Sequence, residues 1–295
     1  MLYITGVAQV LPINFINKQD FAAIGILHSV SVAIPSALNK EYLLTSKNIS
    51  PKEGMNNMCQ SPTDLGEQAV KLAVTNSSTA IEEIGLLIGD TSTPFENIPT
   101  EGQRIASRFG IKIPCYDILG SSGFIPLVLE TLNNFKEEKL PKKIIAVTSS
   151  TATQAIDYSA CNNLAASHLG DAALSMVVSK TPNSKCLKVL HAKFYREPTL
   201  KTGFECDNYE PILLTNEFLE KSCKYGSAVV NCIKEKFNIS NVYSSTIAGG
   251  RETDLFGGTF GDKITELLNS TSKDAAGFVY IGPGGIIGEL VLEKI

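Results

Sequence analysis

Short apolar runs alternate along this chain with stretches in which apolar residues recur at helical spacing. The short apolar runs are typical of strands, and the stretches with helical spacing are typical of helices. The strands predicted in the first part of the chain are residues 2–10, 84–88, 112–119, 144–147 and 172–178. Helices are predicted to follow a cap at Ser61, to run from Thr100 to Gly110, and to cover 125–135. Residues 16–60 are predicted to be irregular, because Pro and Gly interrupt them.

The same alternation begins again near residue 185. The elements predicted there are a strand at 187–195, a helix at 216–237, a strand at 242–248, a helix at 262–269 and a hairpin at 278–294. Both parts end in a glycine turn followed by an apolar strand, at 170–178 and 282–292, which indicates an internal duplication. We therefore predict a layered α/β fold with parallel pairing, divided into halves at 1–181 and 185–295. The second half is shorter, so it must lack elements that the first half keeps.

The segment 117–124, called the elbow below, reads Asp-Ile-Leu-Gly-Ser-Ser-Gly-Phe between a predicted strand and an apolar helix. A strand, a tight turn of small residues and a helix together are a usual way to present a nucleophile. Here the apex carries Ser121 and Ser122. The field of a helix terminus can ionise a thiol near neutral pH, whereas a serine hydroxyl needs an adjacent base.

The chain offers few bases for that role. Its three histidines are His28, His168 and His191. His168 stands in Ser-His-Leu-Gly-Asp just before an apolar run, and structural roles are favoured for the other two. No spacing orients His168 toward Ser121, and no carboxylate of a Ser-His-Asp set can be singled out.

Composition narrows the classes of function. The net charge of -4 and the presence of only four arginines give no basic face for nucleic acid. Seven cysteines without a Cys-x-x-Cys pair argue against disulfides and against a zinc site, so we expect no metal. No basic leader precedes the first apolar run, and no stretch reaches the ~20 apolar residues that span a bilayer. We expect a cytoplasmic protein that does not enter a membrane.

A glycine-rich segment at 282–288 superficially looks like a dinucleotide-binding loop. No helix and no acidic residue follow it at the spacing of a Rossmann site, so we discount nucleotide binding there.

Several segments together resemble the thiolase-fold condensing enzymes, most closely the β-ketoacyl-acyl carrier protein synthase III group. The segments that carry the resemblance are the opening strand with Gly6 and Pro12, residues 81–94, the Arg-Phe-Gly-Ile turn at 108–111, the elbow, and His-Leu-Gly-Asp-Ala-Ala at 168–173. The resemblance implies a five-layered α-β-α-β-α fold of two duplicated halves, the second shortened.

The family's catalytic positions depart from its pattern in this chain. Ser121 replaces the elbow cysteine. The family's histidine opens a His-Gln-Ala-Asn motif that is absent here, and counting back from 233–237 places Cys223 at that position. The asparagine of a Gly-Asn-Thr motif aligns with Gly258. Gly284 and Gly285 resemble the loop whose backbone N–H helps to form an oxyanion hole. Cys223 also fits a buried core thiol, since it shares a helical stripe with apolar residues.

The resemblance implies a catalytically silent subunit that pairs with an active Cys-His-Asn homologue as a heterodimer or heterotetramer. It looks like the short, triad-less subunit of alkylquinolone-type synthases, in a pathway of secondary metabolites or fatty-acyl groups. In this family the strand leading into the elbow forms the interface, and the loop 94–99 reaches the partner's tunnel. The expected interface residues are Phe95, Ile98, Ile113, Cys115 and Asp117. No cofactor is expected for the chain itself, and acyl-CoA or acyl carrier protein would act through the partner.

Two other functions stay open. The chain could be a serine acyltransferase that loads an acyl group onto Ser121 with His168 as base. It could also be a stand-alone carrier that binds a fatty acid in a vestigial tunnel, although no sequence feature favours this.

Overall fold

The computed structural model of this protein describes residues 1–12, 60–94, 97–152, 164–205, 212–245 and 256–295. Its helices are α1 (Pro62–Asn76), α2 (Glu101–Arg108), α3 (Phe124–Asn134), α4 (Ala165–His168), α5 (Asn216–Phe237) and α6 (Gly261–Asn269). Its strands are β1 (Tyr3–Val10), β2 (Leu86–Asp90), β3 (Cys115–Asp117), β4 (Lys143–Thr151), β5 (Asp171–Ser179), β6 (Leu187–Arg196), β7 (Phe204–Glu205), β8 (Leu213–Leu214), β9 (Val242–Ser244), β10 (Ala275–Gly282) and β11 (Ile286–Lys294). Most of the segment predicted to be irregular, 16–60, lies outside the described residues.

Nine described strands form one sheet in the order β3-β2-β4-β5-β1-β6-β11-β10-β9. A short antiparallel contact, Tyr3 with Lys188 and Ile4 with Leu187, joins the five strands of the first half to the four of the second. The second group repeats the order of the first, with β9, β10, β11 and β6 in the places of β2, β4, β5 and β1. The duplication predicted from the sequence is therefore visible in the topology.

The second half is shorter in two connections. Between β6 and β9 it has the 45 residues 197–241, whereas the 75 residues 11–85 join β1 to β2, and a second difference lies between β9 and α6. Sixteen residues, 245–260, make this connection, whereas the 33 residues 91–123 that join β2 to α3 include α2 and β3. Among the residues that the structure describes, the second half has no counterpart of α2 or β3.

The predicted parallel pairing is only partly correct. β2 is parallel to β3 and to β4, and β9 is parallel to β10. In contrast, β5 is antiparallel to both β1 and β4, and β11 is antiparallel to both β6 and β10. Strands such as β5, in which every residue is buried, have continuous apolar sequences. Such sequences show burial on both faces but do not encode the direction of the neighbouring strand.

Side-chain packing divides the molecule into five layers. α3 and α6 share one core with the inner faces of both strand groups, including Phe124, Phe260, Phe278 and Tyr280. α1 and α2 pack on the outer face of the first group. α5 packs on the outer face of the second group, to which Val279 and similar residues point. Alternation along β10 sends Phe278 and Tyr280 inward and Val279 outward, as strand geometry requires. The layer order is α-β-α-β-α, as predicted.

Local signals explain where several elements begin and end. Ser61 caps α1 and exchanges hydrogen bonds with Asp64 in a capping box. Thr215 caps α5, and Asn238 ends that helix in the left-handed conformation, so the helix has the bounds predicted from the sequence. The strand predicted at 112–119 is ordered as a strand only over β3, because Pro114 just before it has no N–H to donate.

Candidate active site

The elbow turns the chain sharply between β3 and α3. Residues Ser121–Gly123 form a 3-10 turn that runs directly into α3. Ser121 has a φ of 47°, in the left-handed region that side chains seldom adopt. Ser121 is half-buried, whereas Ser122 is fully buried. Ser121 therefore stands in the position of a nucleophile, at the amino end of an apolar helix.

The carboxylate of Asp90 lies beneath this turn. Its Oδ1 accepts hydrogen bonds from the backbone N–H of Gly120, at 2.9 Å, and of Ser121, at 3.4 Å. Its Oδ2 accepts a bond from the Thr148 hydroxyl at 2.9 Å. Asp90 is 1% exposed, and this burial raises the pKa of its carboxyl group to about 7, against the opposing effect of the three hydrogen bonds.

The Ser121 side chain is hydrogen-bonded to another serine hydroxyl. The Ser92 hydroxyl donates a hydrogen bond to the Ser121 hydroxyl at 3.0 Å. Ser150 holds the backbone of Ser92 in place, since its Oγ accepts the Ser92 N–H at 3.1 Å. Within the described ranges, no imidazole, carboxylate or ammonium group hydrogen-bonds the Ser121 hydroxyl. Among the residues that the structure describes, the hydrogen bonds of the Ser121 hydroxyl thus include no group able to remove its proton.

The two described histidines contact groups other than Ser121. His168 ends α4, and its Nδ1 lies 3.0 Å from the backbone oxygen of Leu164. Burial lowers the pKa of this imidazole, which keeps it neutral. His191 lies on β6 and bonds Glu289 through Nε2 at 3.0 Å, so it has a structural role beside β11. His28 lies outside the described residues.

The structure does not place Cys223, the residue assigned to the histidine position, on the side of the sheet where the elbow packs. Cys223 lies within α5, whose apolar stripe packs on the outer face of the second strand group. The elbow packs on the inner side, against β10, β11 and the turn Phe256–Gly258. Counting along the sequence ignores the loop between α5 and α6. Asp90 is the last residue of β2, and the corresponding strand of the second half, β9, ends at Ser244.

Gly258, in contrast, does lie near the elbow. It belongs to the buried turn Phe256–Gly258, which packs against the turn Ser121–Gly123. Its backbone oxygen accepts a hydrogen bond from Gln9 Nε2 at 2.8 Å, and a Cβ added to Gly257 would be 2.5 Å from Thr148 Oγ1. Because glycine has no side chain, position 258 supplies no side-chain amide to a reacting group.

The glycine loop, Pro283–Gly285, borders the elbow through Gly282. A Cβ added to Gly282 would be 2.8 Å from the Cβ of Ser122, which shows how closely the two segments pack. Gly284 and Gly285 have φ of 65° and 76°, and the Arg196 guanidinium donates to the Gly284 oxygen at 2.8 Å. The glycine loop, which resembles the family loop that helps to form an oxyanion hole, therefore lies next to the elbow.

The predicted interface residues differ in orientation. Ile113 packs partly buried against the outer core of the first half, and burial raises the pKa of the half-buried Cys115 thiol to about 12. Asp117 Oδ1 accepts hydrogen bonds from Thr100 Oγ1 and from the Gly102 N–H, both at 2.9 Å, at the start of α2. These three side chains face their own chain.

Residues near β3 other than Ile113, Cys115 and Asp117 face the solvent. Ile98 is 85% exposed, and Phe95 lies outside the described residues. Tyr116 and Leu119, which are not among the predicted interface residues, are 36% and 77% exposed. Strand alternation was the available signal, since it turns Tyr116 away from Cys115 and Asp117.

The described residues include no cluster of three His, Cys, Asp or Glu side chains that could hold a metal ion. Among the helices that the structure describes, none has both the length and the apolar character to cross a bilayer.

Comparison with known proteins places the fold. No family model matches the chain. The β-ketoacyl-[acyl-carrier-protein] synthase III of Sulfurovum sp. (strain NBC37-1) is 28% identical over 122 residues, which are 40% of this chain and 35% of that protein. The match therefore spans about a third of the length of that curated relative.

Solved structures match over almost the whole chain. The 3-oxoacyl-[acyl-carrier-protein] synthase III of Aquifex aeolicus VF5 superposes with a TM-score of 0.77 at 19% identity, covering 99% of this chain and all of that one. Cerulenin-bound OleA of Xanthomonas campestris superposes with a TM-score of 0.78 at 13% identity, covering 99% and 96% of the two chains. At these identities the likeness establishes the fold.

Proposed function

On the premise that this chain has the thiolase-like fold of the β-ketoacyl-acyl carrier protein synthase III group, we propose that it is a catalytically silent subunit. It pairs with a homologous condensing enzyme that carries the Cys-His-Asn set. The observation that carries the proposal is the hydrogen bond from the Ser92 hydroxyl to Ser121. A serine hydroxyl is a poor base, so among the described residues the hydrogen-bonded partner of the Ser121 side chain is not one that can take its proton and start acyl transfer.

The preserved scaffold supports a role that depends on a partner. The elbow, the glycine loop and the five layers are all built, although the side chains that would do chemistry are replaced. A chain that keeps the shape of the family without the reacting groups can still form a subunit interface and shape a neighbouring site.

The edge strand β3 is the surface proposed for pairing. β3 pairs with β2 and lies at the end of the sheet formed by the described strands, so the backbone on its other side can pair with a second chain. Tyr116 and Leu119 would lie in this interface. Ile98, together with Phe95, would reach the acyl pocket of the partner.

Pairing is tested by co-expression with a homologue from the same organism that has the Cys-His-Asn set. We expect the two chains to co-purify and to elute as one species in size-exclusion chromatography with light scattering. The partner should make more condensation product in the complex than alone. Two separately eluting proteins and an unchanged partner activity would contradict the proposal.

A serine acyltransferase is the competing function, and the left-handed conformation of Ser121 is the observation in its favour, because nucleophile elbows adopt such strained turns. When the purified chain is incubated with acyl-CoA, we expect no stable mass increase on the peptide that contains Ser121. Acylation that is present in the native chain and lost in Ser121→Ala, but kept in Ser122→Ala, would establish the competing function instead.

A further inference from the structure

A buried carboxylate beneath a nucleophile elbow is unexpected on electrostatic grounds. The amino end of a helix carries partial positive charge, and the backbone N–H groups of the turn favour a negative charge on the nucleophile or on a developing oxyanion. In this chain those N–H groups point to Asp90. Its Oδ1 accepts from Gly120 at 2.9 Å and from Ser121 at 3.4 Å.

We infer that Asp90 is a positioning residue that keeps the elbow silent, because it engages the Ser121 N–H from below and, once ionised, holds a negative charge beneath position 121. An N–H that donates to Asp90 is turned away from an acyl oxygen on the other side of the turn. The inference rests on the proposed function and extends it. The elbow would then be inactive for two reasons. It carries no thiol, and the electric field of the Asp90 carboxylate opposes an anion at position 121.

The surroundings fix the carboxylate in this place. Asp90 ends β2, and its Oδ2 accepts a hydrogen bond from Thr148 on the neighbouring strand β4. Thr148 in turn packs closely against Gly257 of the second half, which holds its hydroxyl in place beside Asp90. Burial raises the pKa of Asp90, and the negative charge of Asp117 adds to this effect.

The inference can be tested with a thiol placed at the elbow. A Ser121→Cys variant reacts with iodoacetamide, in which the thiolate forms the S–C bond, iodide leaves and the thiol proton goes to solvent. The alkylation rate of the peptide that contains position 121 is followed by mass spectrometry between pH 6 and pH 10, because the native cysteines also react. The rate profile gives the pKa of the new thiol.

We expect this pKa to fall by about one unit or more when Asp90→Asn is added to Ser121→Cys, which raises the rate at pH 7.5 by about tenfold. Asparagine keeps an oxygen for the two N–H groups, so the change removes the charge and preserves the shape. Asp90→Ala removes both the charge and the acceptor oxygen, and it should shift the pKa of the thiol in the same direction. This variant replaces Asp90→Asn in the test if the asparagine variant does not fold.

Glu130→Gln is the matched control. Glu130 lies farther along α3, and its carboxylate also accepts a backbone N–H, that of Phe194, at 2.7 Å. The pKa of the thiol at position 121 should stay unchanged in this variant. Equal pKa values in the Asp90 variants and in the Glu130 control would overturn the inference.

Hydrogen exchange on the unaltered chain gives a second readout that needs no variant. The amides of Gly120 and Ser121 should exchange slowly at pH 8, and rapid exchange of both would also overturn the inference. Neither measurement involves a partner, so a failure of pairing and a failure of this inference can be told apart.

Discussion

Replacing Leu119 by aspartate should abolish co-purification with the catalytic partner, while the unfolding free energy of the isolated chain stays within about 0.5 kcal/mol of its original value. Leu119 is 77% exposed just after the edge strand β3, so the substitution creates no buried charge in the isolated chain. In the proposed complex the same position is covered by the partner, and desolvation of an unpaired carboxylate there costs several kcal/mol.

The measurements are co-purification from cells that express both chains, and urea unfolding of the variant alone. Leu72→Asp is the matched control, since Leu72 is 49% exposed on α1, away from the edge strand. That variant should retain the partner. A Leu119→Asp chain that still co-purifies in full would place the interface elsewhere.

Asp90→Asn should stabilise the chain at pH 8 by about 2 to 4 kcal/mol. The upper end of this range comes from the difference between the pKa of about 7 in the folded state and the ordinary value of 3.8. Each pKa unit corresponds to about 1.36 kcal/mol. Because the folded state raises this pKa, the buried carboxyl group is best accommodated when it is protonated. Its contribution to stability is present below pH 3.8 and is lost as the pH rises to 7. Asparagine has no proton to lose over this range.

The free energy of unfolding, measured in urea from pH 4 to pH 8.5, provides the check. The curves of the native chain and of Asp90→Asn should be close at pH 4 and separate steadily up to about pH 7. Thr148→Val keeps the size of the side chain but removes a hydrogen bond that lowers the pKa of Asp90, so it should steepen the loss of stability. Parallel curves for all three chains would contradict this prediction, since they would show that ionisation of Asp90 does not lower the free energy of unfolding.

Much of the fold could be predicted from local signals. α5 has the bounds expected from its apolar stripe and from its cap at Thr215, because caps and helical periodicity are properties of neighbouring residues. The elbow was recognised for a similar reason, since small residues between an apolar strand and an apolar helix leave few conformations. The glycine pattern at the ends of both halves indicated the duplication that the strand order shows.

Long-range relations could not be predicted in the same way. The direction of β5 relative to β1 and β4 depends on how the chain returns across the sheet, which its apolar residues do not encode. Cys223 was assigned to the site by counting residues, but α5 lies on the opposite face of the strands from the elbow. The hydrogen bonds that Ser121 makes with Asp90 and Ser92 join residues about 30 positions apart, a separation for which no local pattern exists.

The sequence by itself determined that the apex of the elbow carries hydroxyl side chains, that no histidine follows residue 191 in the printed chain, and that the architecture is a layered α/β one. These follow from residue identity and from short periods along the chain. Only the tertiary structure decided which groups face Ser121, which side of β3 meets solvent, and that a buried carboxylate lies beneath the elbow. Burial and hydrogen bonding depend on what packs against a residue, and that is fixed when distant strands and helices come together.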